Sequence, residues 1–417
     1  MENSNFSSSE VGTLRKIIVH TPDEGIEKVT PSLALDFLYE DIVFLPQMIK
    51  EHTVFKTALE FFIGKDNVYD TQSLLGDVLT DSETRLALLR EIEILEHLDF
   101  EKKQSIHQIK NPTTLASVLI TGIIDKEKNK SIFAPLPNLI FARDCGVVIN
   151  NSILIGIAAL KARSRESLLC KYIFQHHPLF NDFYKMDLLE IAAEQIALSK
   201  ETAISIEGGD VMILNKDHVL IGCSERTSQL SARLLANELF NKNITKKITL
   251  VNLPKLRFCM HLDTIITFIS KNECVVYEPL ICQDDAMEIY HFENEINNLS
   301  TFSSLKGLLT TLYPDLSLIP CGDGVSPYDE REQWTDGCNL FAVKDGVAFA
   351  YERNVKTNQA LADRGYKIVR AEDLITRFAS KDLNPSHLVN TIITIPSGEL
   401  SRARGGPHCL TMPLTRS

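Results

Sequence analysis

The segment HLDTIITF, residues 261–268, places a histidine and an aspartate directly before a short run rich in β-branched residues, a composition that favours a strand. Four other segments repeat this pattern of a polar or thiol residue before an apolar run: RDCGVVI (143–149), EGGDVMIL (207–214), DGCNLFAV (336–343) and GPHCLTMP (406–413). At separations of about 50 to 80 residues, the recurrence indicates similar units around an axis, each giving one residue to a common centre. The alternative is five ordinary strand starts that follow turns.

The remainder of the chain supports an α/β fold. After Pro135 strand and helix patterns alternate, as in GVAFAY (346–351), KTNQALADRG (356–365) and YKIV (366–369), which is typical of α/β proteins. Residues 73–126 instead show helical periodicity throughout. We therefore expect residues 1–417 to form one catalytic domain that carries 73–126 as a helical insertion.

Composition excludes several functional classes. The net charge is −12 and the pI is near 5.5, which is unfavourable for binding nucleic acid or an anionic membrane surface. The chain shows neither an apolar run long enough to cross a membrane nor the pattern of a secretory signal. The nine cysteines form no CxxC motif. These features predict a cytoplasmic protein that binds neither nucleic acid nor membrane.

Cys409 and His261 are the first candidates for chemistry. Cys409 ends the glycine-rich segment RGGPHC (404–409), whose turn can expose a thiol to a cavity. His261 and Asp263 would face the same side of a strand, as a general acid and base beside a cation-binding carboxylate. Two metal ligands are an alternative, although no third ligand stands at metal-like spacing. A buried cysteine and a structural histidine are the simpler alternatives for each residue alone.

Several carboxylates accompany this pair. Glu207 and Asp210 are separated by two glycines, and Asp144 follows Arg143 before another apolar run. So many negative charges around a thiol would not suit a neutral or anionic substrate. A guanidinium would suit them, because it offers five N–H donors in a fork that carboxylates accept. The residues therefore point to nucleophilic attack on a guanidinium carbon.

With these residues, the chain resembles the arginine deiminases of the guanidino-group-modifying, or pentein, superfamily. The motifs that carry the resemblance occur in the family's order: NLIFARD (138–144), ARSRE (162–166), IEGGDV (206–211), IGCSERTS (221–228), MHLDT (260–264), EQWTDGCN (332–339), YERNVKTN (351–358) and RGGPHC (404–409). The resemblance implies a five-bladed, pseudo-symmetric α/β propeller with an inserted helical bundle.

The resemblance also implies the roles of individual residues. Cys409 would be the nucleophile and His261 the general acid and base, with Glu207 orienting His261. Asp144 and Asp263 would hold the guanidinium. The expected substrate-binding residues are Asn138, Phe141, Arg163, Arg226 and Arg404, of which Arg163 and Arg226 would contact the substrate carboxylate. The alternative for these two arginines is structural pairing with Glu166 and Glu225.

The resulting hypothesis is hydrolysis of free L-arginine to L-citrulline and ammonia through a covalent cysteine amidino-thioether intermediate, without a metal or organic cofactor. A homo-oligomer is expected. The alternatives are an agmatine deiminase or amidinotransferase on the same scaffold, and a weakly active arginine-binding protein.

Overall fold

The computed structural model describes residues 6–34, 36–39, 41–128, 130–193 and 204–417. Its strands are β1 (Leu14–Val19), β2 (Val68–Asp70), β3 (Ile123–Asp125), β4 (Lys130–Ser131), β5 (Gly146–Ile149), β6 (Ser152–Ile155), β7 (Tyr184–Met186), β8 (Val211–Asn215), β9 (His218–Cys223), β10 (Lys247–Asn252), β11 (Ile266–Ser270), β12 (Glu273–Val276), β13 (Glu288–Glu293), β14 (Leu299–Phe302), β15 (Ser317–Pro320), β16 (Phe341–Lys344), β17 (Val347–Tyr351), β18 (Lys367–Arg370), β19 (Thr391–Ile395) and β20 (Met412–Arg416). Its helices are α1 (Leu45–Ile63), α2 (Thr71–Val78), α3 (Ser82–Leu95), α4 (Phe100–Gln108), α5 (Pro112–Thr121), α6 (Ser164–His176), α7 (Leu188–Ile191), α8 (Gln229–Asn241), α9 (Glu278–Ile281), α10 (Leu305–Leu312), α11 (Tyr328–Trp334), α12 (Val355–Asp363) and α13 (Ala371–Ala379).

One pattern of strand pairing occurs five times within the described residues. A first strand pairs antiparallel with a second, and the second pairs parallel with a third. The five sets are β5-β6-β7, β8-β9-β10, β11-β12-β15, β16-β17-β19 and β20-β1-β2. The first strands follow the five polar segments of the sequence recurrence. The prediction of an α/β fold is therefore confirmed, and the recurrence corresponds to repeated three-strand units.

The fifth unit joins the two ends of the chain. β20 pairs antiparallel with β1, and β1 pairs parallel with β2. Arg416 strengthens this junction by donating to Gly12 O and to Ala342 O, each at 2.8 Å. The chain's C-terminal strand, and with it Cys409, is thus fixed by the N-terminal segment.

The helices α2 to α5 lie between β2 and β3 and cover most of the predicted helical segment 73–126, although its residues 123–125 form β3 instead. Local sequence explains their starts, because Asp81 caps α3 and Asn111 caps α5 by accepting from backbone N–H groups three residues on. Pro112 occupies the first turn of α5, where its missing N–H leaves no helical bond unmade. Their apolar faces are buried with α6 and the β5–β6 hairpin in one hydrophobic cluster. That these helices are an insertion stays a prediction.

The first two strands of each unit are largely buried, and their apolar side chains belong to four hydrophobic clusters. Their polar starts consequently meet where the apolar clusters end. No helix among the described residues combines the length and the apolar character needed to cross a membrane.

Candidate active site

The predicted reacting residues lie in the turns before the first strand of each unit, and not in the strands. Short 3₁₀ helices carry Asp144 (Ala142–Cys145), Asp210 (Gly208–Asp210) and Asp263 (Leu262–Thr264). The expectation that His261 and Asp263 share one face of a strand is therefore wrong. The physical reason is that Asp210 Oδ1 accepts from the buried Leu262 N at 2.9 Å, which satisfies the backbone of a turn and delays the strand to Ile266.

Direct contacts connect these turns: the first and second turns both meet the third, the third meets the fourth, the fourth the fifth, and the fifth the first. The Nδ1 of His261 lies 3.8 Å from Asp144 Oδ1, and its Nε2 lies 2.9 Å from Glu207 Oε2. Leu262 N donates to Asp210 Oδ1 at 2.9 Å, and Asn339 Nδ2 donates to Asp263 O at 3.0 Å. Cys409 N donates to Asn339 Oδ1 at 3.0 Å, and Arg143 N donates to Cys409 O at 3.1 Å. All five units thus contribute side chains to one buried cluster.

His261 is fixed between two carboxylates. Its Nε2 contacts Glu207 Oε2 at 2.9 Å, and its Nδ1 lies 3.8 Å from Asp144 Oδ1. Burial alone would lower the pKa of His261, but the attraction of Asp144 and the hydrogen bond to Glu207 outweigh it and raise the pKa to about 9. The ring is therefore an imidazolium near neutral pH. Gly209 permits this placement, since a Cβ there would lie 2.9 Å from the ring.

Glu207 remains ionised despite its burial. Burial would raise its pKa, but the nearby charges of Arg163 and His261 lower it to about 2. Its second oxygen, Oε1, accepts from Ala159 N at 3.2 Å. A charged, fully bonded carboxylate of this kind holds the His261 ring in one orientation.

Cys409 is a buried thiol that faces Asp263. Its Sγ lies 3.5 Å from Asp263 Oδ2, and its backbone N–H is held by Asn339. Burial, followed by the charges of Asp263 and Asp144, raises the pKa of Cys409 well above its usual range. Cys409 is consequently a neutral thiol in this arrangement.

Two carboxylate oxygens in the site have unused acceptor capacity. Within the described residues, neither Asp144 Oδ1 nor Asp263 Oδ1 has a hydrogen-bond partner, although both atoms are buried. Buried polar atoms without partners are unfavourable in a folded protein. These two oxygens are therefore suited to accept from N–H groups of a bound cation.

Arg163 lies inside the carboxylate cluster. Its guanidinium donates to Asp144 Oδ2 at 2.7 Å, Glu166 Oε2 at 2.8 Å and Glu207 Oε2 at 3.2 Å. Burial would lower the pKa of Arg163, but Glu166, Asp144 and Glu207 raise it well above its usual range. The structural pairing with Glu166 that was the alternative for Arg163 is thus present.

Arg226 is placed differently. It is buried, and its Nε has no hydrogen-bond partner among the described residues. Burial lowers the pKa of Arg226 and Glu207 opposes that effect. The alternative pairing with Glu225 is not among the ion pairs of the described residues. Arg226 therefore has a donor available for an anionic group.

The remaining predicted binding residues surround the same space. Asn138 donates to Phe37 O at 2.5 Å, and the Arg404 guanidinium lies 3.6 Å from the centre of the Trp334 ring. The ring of Phe141 packs directly against Gly405, where a Cβ would approach to 2.2 Å. Only glycine fits at position 405 in this arrangement.

All ten predicted site residues except Glu207 and Asp263 line one cavity of ≈20 Å³, to which Leu38, Arg257 and Met260 also contribute. A volume of about this size holds a single water molecule. A substrate the size of an amino acid would require the surrounding side chains to move apart.

One group could geometrically hold a metal ion. Ligand atoms of Asp144, Glu207 and His261 all lie within 4.8 Å of one another, a group that contains His261 but not Asp263, the second ligand considered from the sequence. However, the Arg163 Nη1 already contacts both carboxylates, and His261 carries positive charge. The negative charge of this group is thus matched by the protein's own cations.

Two residues near Asp263 were missed as site residues. His408 contacts Asp263 Oδ2 at 2.8 Å, and Glu10 contacts the other ring nitrogen of His408 at 3.2 Å. If residues 408 and 409 lay in a strand, His408 and Cys409 would face opposite sides. Residues 407–410 form a turn instead. Nothing in the local sequence connects Glu10 with position 408.

The site thus brings together a buried thiol, an imidazolium and unpartnered carboxylate oxygens, groups whose chemistry suits a planar cation. A family model described as arginine deiminase matches residues 104–416. The chain belongs to the arginine deiminase family, so the resemblance inferred from its motifs is confirmed.

Two arginine deiminases are similar to this chain over nearly its full length. An arginine deiminase of Borrelia garinii subsp. bavariensis is 32% identical over 98% of this chain and 97% of its own. One of Listeria monocytogenes serovar 1/2a is 30% identical over 100% of this chain and 98% of its own. Among solved structures, a DDAH from Pseudomonas aeruginosa complexed with citrulline gives a TM-score of 0.49 at 12% identity, covering 96% of this chain and 99% of that one.

Proposed function

We propose that this protein hydrolyses L-arginine to L-citrulline and ammonia through a covalent intermediate on Cys409. The observation that carries the proposal is the pair of unpartnered, buried oxygens on Asp144 and Asp263 beside the thiol. Membership of the arginine deiminase family supports arginine as the substrate.

The first step is binding of the guanidinium between Asp144 and Asp263. Its N–H groups donate to the two free Oδ1 atoms, which fixes the plane of the cation and sets its carbon beside Cys409 Sγ. The positive charge of the substrate also counters the carboxylates that keep the thiol protonated. Substrate binding thereby lowers the pKa of Cys409, and the thiol releases its proton to solvent and becomes the thiolate.

The thiolate then attacks the guanidinium carbon and forms a C–S bond. His261, an imidazolium, gives its proton to a terminal nitrogen, and the C–N bond breaks with release of ammonia. Asp144 and Asp263 stabilise the charge that localises on the remaining nitrogens. The product of this step is an amidino-thioether on Cys409.

In the second step the now neutral His261 accepts a proton from water, and the resulting hydroxide adds to the same carbon. The C–S bond breaks with return of the electron pair to sulfur, the sulfur takes up the proton of the added hydroxyl, and citrulline leaves. Glu207 supports both steps because it holds the ring and stabilises its charged form. One water is consumed, one ammonia and one proton are released, and the enzyme returns to its starting state.

Arg226 is proposed to bind the substrate's α-carboxylate through its free donor, with Asn138 and Phe141 lining the amino-acid end. Arg163 is proposed to serve both its carboxylate partners and the substrate end of the cavity. Arg404, stacked on Trp334, is proposed to move as the cavity opens. These roles separate an arginine deiminase from an agmatine deiminase, whose substrate has no carboxylate.

We further propose that the five three-strand units surround one axis as a five-bladed propeller in a single domain, 1–417, with 73–126 inserted. The circuit of contacts that returns from Cys409 to Arg143 supports this arrangement. The nine cysteines are all unpaired, which supports a reducing cytoplasmic compartment. A homo-oligomer stays a prediction, tested by light scattering.

The test is to incubate the purified protein with L-arginine and to measure citrulline and ammonia. The proposal requires the two products in equal amounts. Release of ammonia from agmatine at a comparable rate would favour the agmatine deiminase alternative, and transfer of the amidino group to an added amine would favour an amidinotransferase. Binding of arginine without products would favour the binding-protein alternative.

A further inference from the structure

A buried chain of hydrogen bonds runs from Asp263 through His408 to Glu10. The His408 Nδ1 contacts Asp263 Oδ2 at 2.8 Å, and its Nε2 contacts Glu10 Oε2 at 3.2 Å. The three side chains are at most 6% exposed. The contacts join residues almost 400 positions apart in the sequence, so the N-terminal segment reaches the reacting centre.

Glu10 is itself held firmly. Its backbone N–H donates to Ile213 O at 2.9 Å, and its Oε1 accepts from Ile213 N at 3.1 Å. Both contacts lie on β8, the first strand of the second unit. Burial would raise the pKa of Glu10, but His408, Arg143 and Arg416 lower it to about 2. Glu10 is therefore a fixed negative charge at the far end of the chain.

The chemistry of the chain determines which groups carry hydrogen. An ionised carboxylate only accepts hydrogen bonds, so each ring nitrogen that faces one must donate. His408, between Asp263 and Glu10, consequently has a hydrogen on both nitrogens and carries positive charge. The charge lies directly behind Asp263, and the backbone of His408 is fixed by Arg143 Nε, which donates to its carbonyl at 3.4 Å.

The hydrogen bond from His408 decides which oxygen of Asp263 remains free. Oδ2 is engaged by His408 and faces the Cys409 thiol, whereas Oδ1 has no partner within the described residues. Without His408, the carboxylate could rotate about its Cβ–Cγ bond and present either oxygen to the thiol.

We propose that His408 and Glu10 are positioning residues for Asp263, which hold one carboxylate oxygen towards the substrate guanidinium and partly neutralise the charge beside Cys409. The inference rests on the proposed function, because it assigns Asp263 to the substrate cation. Neither residue touches the substrate; both act through Asp263.

The experiment compares kcat/KM for arginine in wild type, His408→Gln and Glu10→Gln. Loss of a hydrogen bond to a charged group lowers kcat/KM by about 10- to 100-fold. The matched control is His218→Gln, because His218 is also fully buried with both ring nitrogens bonded, to Tyr313 Oη and Thr249 Oγ1 at 2.8 Å each, but lies outside the site. The control is expected to lose stability and to keep kcat/KM within about twofold.

A double-mutant cycle tests whether the residues act through Asp263. In an Asp263→Asn background, Glu10→Gln should change kcat/KM by less than about twofold, because the group it positions is already altered. The same fold loss in both backgrounds would overturn the inference, as would wild-type kcat/KM in Glu10→Gln and His408→Gln.

A second readout does not depend on turnover of arginine. Loss of the His408 charge leaves Asp263 less neutralised, so iodoacetamide should alkylate Cys409 about tenfold more slowly at fixed pH in His408→Gln, followed at that residue by mass spectrometry. If wild type makes no citrulline, the proposed function fails and this rate alone decides the inference. Equal rates in His408→Gln and wild type would overturn it.

Discussion

Replacement of Arg163 by alanine should destabilise the protein more than any surface arginine. The guanidinium makes ion pairs of 2.7, 2.8 and 3.2 Å with Asp144, Glu166 and Glu207, all of them at most 7% exposed. After its removal, His261 still faces Asp144 and Glu207, but Glu166 loses its cation and has an oxygen without a partner. Breaking a buried pair from one side costs about 3–5 kcal/mol. We expect a loss of this size in the free energy of unfolding.

The loss should depend on pH in a defined direction. Arg163 helps to lower the pKa of Glu207 from its ordinary value of 4.5 to about 2. The stability that Arg163 contributes through the ionised Glu207 is therefore complete above pH 4.5. That contribution disappears as the pH falls towards 2. The difference between wild type and Arg163→Ala should therefore be largest near neutral pH and shrink in acid.

The assay is urea-induced unfolding of wild type, Arg163→Ala and Arg370→Ala at several pH values. Arg370 is an exposed control whose pair with Glu372 spans 3.2 Å, and its removal should change the free energy of unfolding by less than about 0.5 kcal/mol. If Arg163→Ala is as stable as this control and only KM for arginine rises, the carboxylate cluster does not depend on Arg163. The residue would then belong to the substrate alone.

Other predictions concern the reaction itself. Arg226→Ala should narrow the preference for arginine over agmatine, which we expect to be about 10²- to 10⁵-fold in wild-type kcat/KM; equal rates on both substrates in wild type would remove the carboxylate-binding role. Asp263→Asn should cost about 2–5 kcal/mol of transition-state stabilisation, measured as the decrease in kcat/KM. EDTA should not affect activity, whereas loss of activity with EDTA and its recovery with zinc would favour a metal site. Because the folded-state pKa of His261 is raised from 6.5 to about 9, kcat/KM should fall above about pH 9. The stability that its imidazolium contributes should be complete below pH 6.5 and should be lost as the pH rises from 6.5 through about 9. If kcat/KM instead falls near pH 6.5, the carboxylates around His261 do not raise its pKa.

The sequence predicted the units of the fold well because the signal is local. An apolar run of four or five residues after a polar turn becomes the first strand of each unit, as at Ile266–Ser270. The caps at Asp81 and Asn111 act within three residues of the helix start. Such patterns need no knowledge of distant contacts.

The geometry of the turns could not be predicted in the same way. Side-chain alternation along a strand predicts that His261 and Asp263 share one face and that His408 and Cys409 face opposite sides. These residues lie in turns instead, because side chains from other units satisfy the backbone groups of the turns. Asp210, which accepts from Leu262 N, lies 52 positions away in sequence. Arg163 was expected at the substrate carboxylate or paired with Glu166, and the pair with Glu166 is present. Its contacts with Asp144 and Glu207 depend on carboxylates 19 and 44 positions away.

Cys409 is the residue on which the whole account depends. The most direct measurement is mass spectrometry of wild type and Cys409→Ala after mixing with arginine and rapid quenching in acid. We expect wild type to carry an adduct on Cys409 with the mass of arginine less ammonia, and Cys409→Ala to show neither adduct nor citrulline, since the nucleophile is absent. Citrulline formation by Cys409→Ala at a rate near that of wild type would contradict covalent catalysis at this thiol.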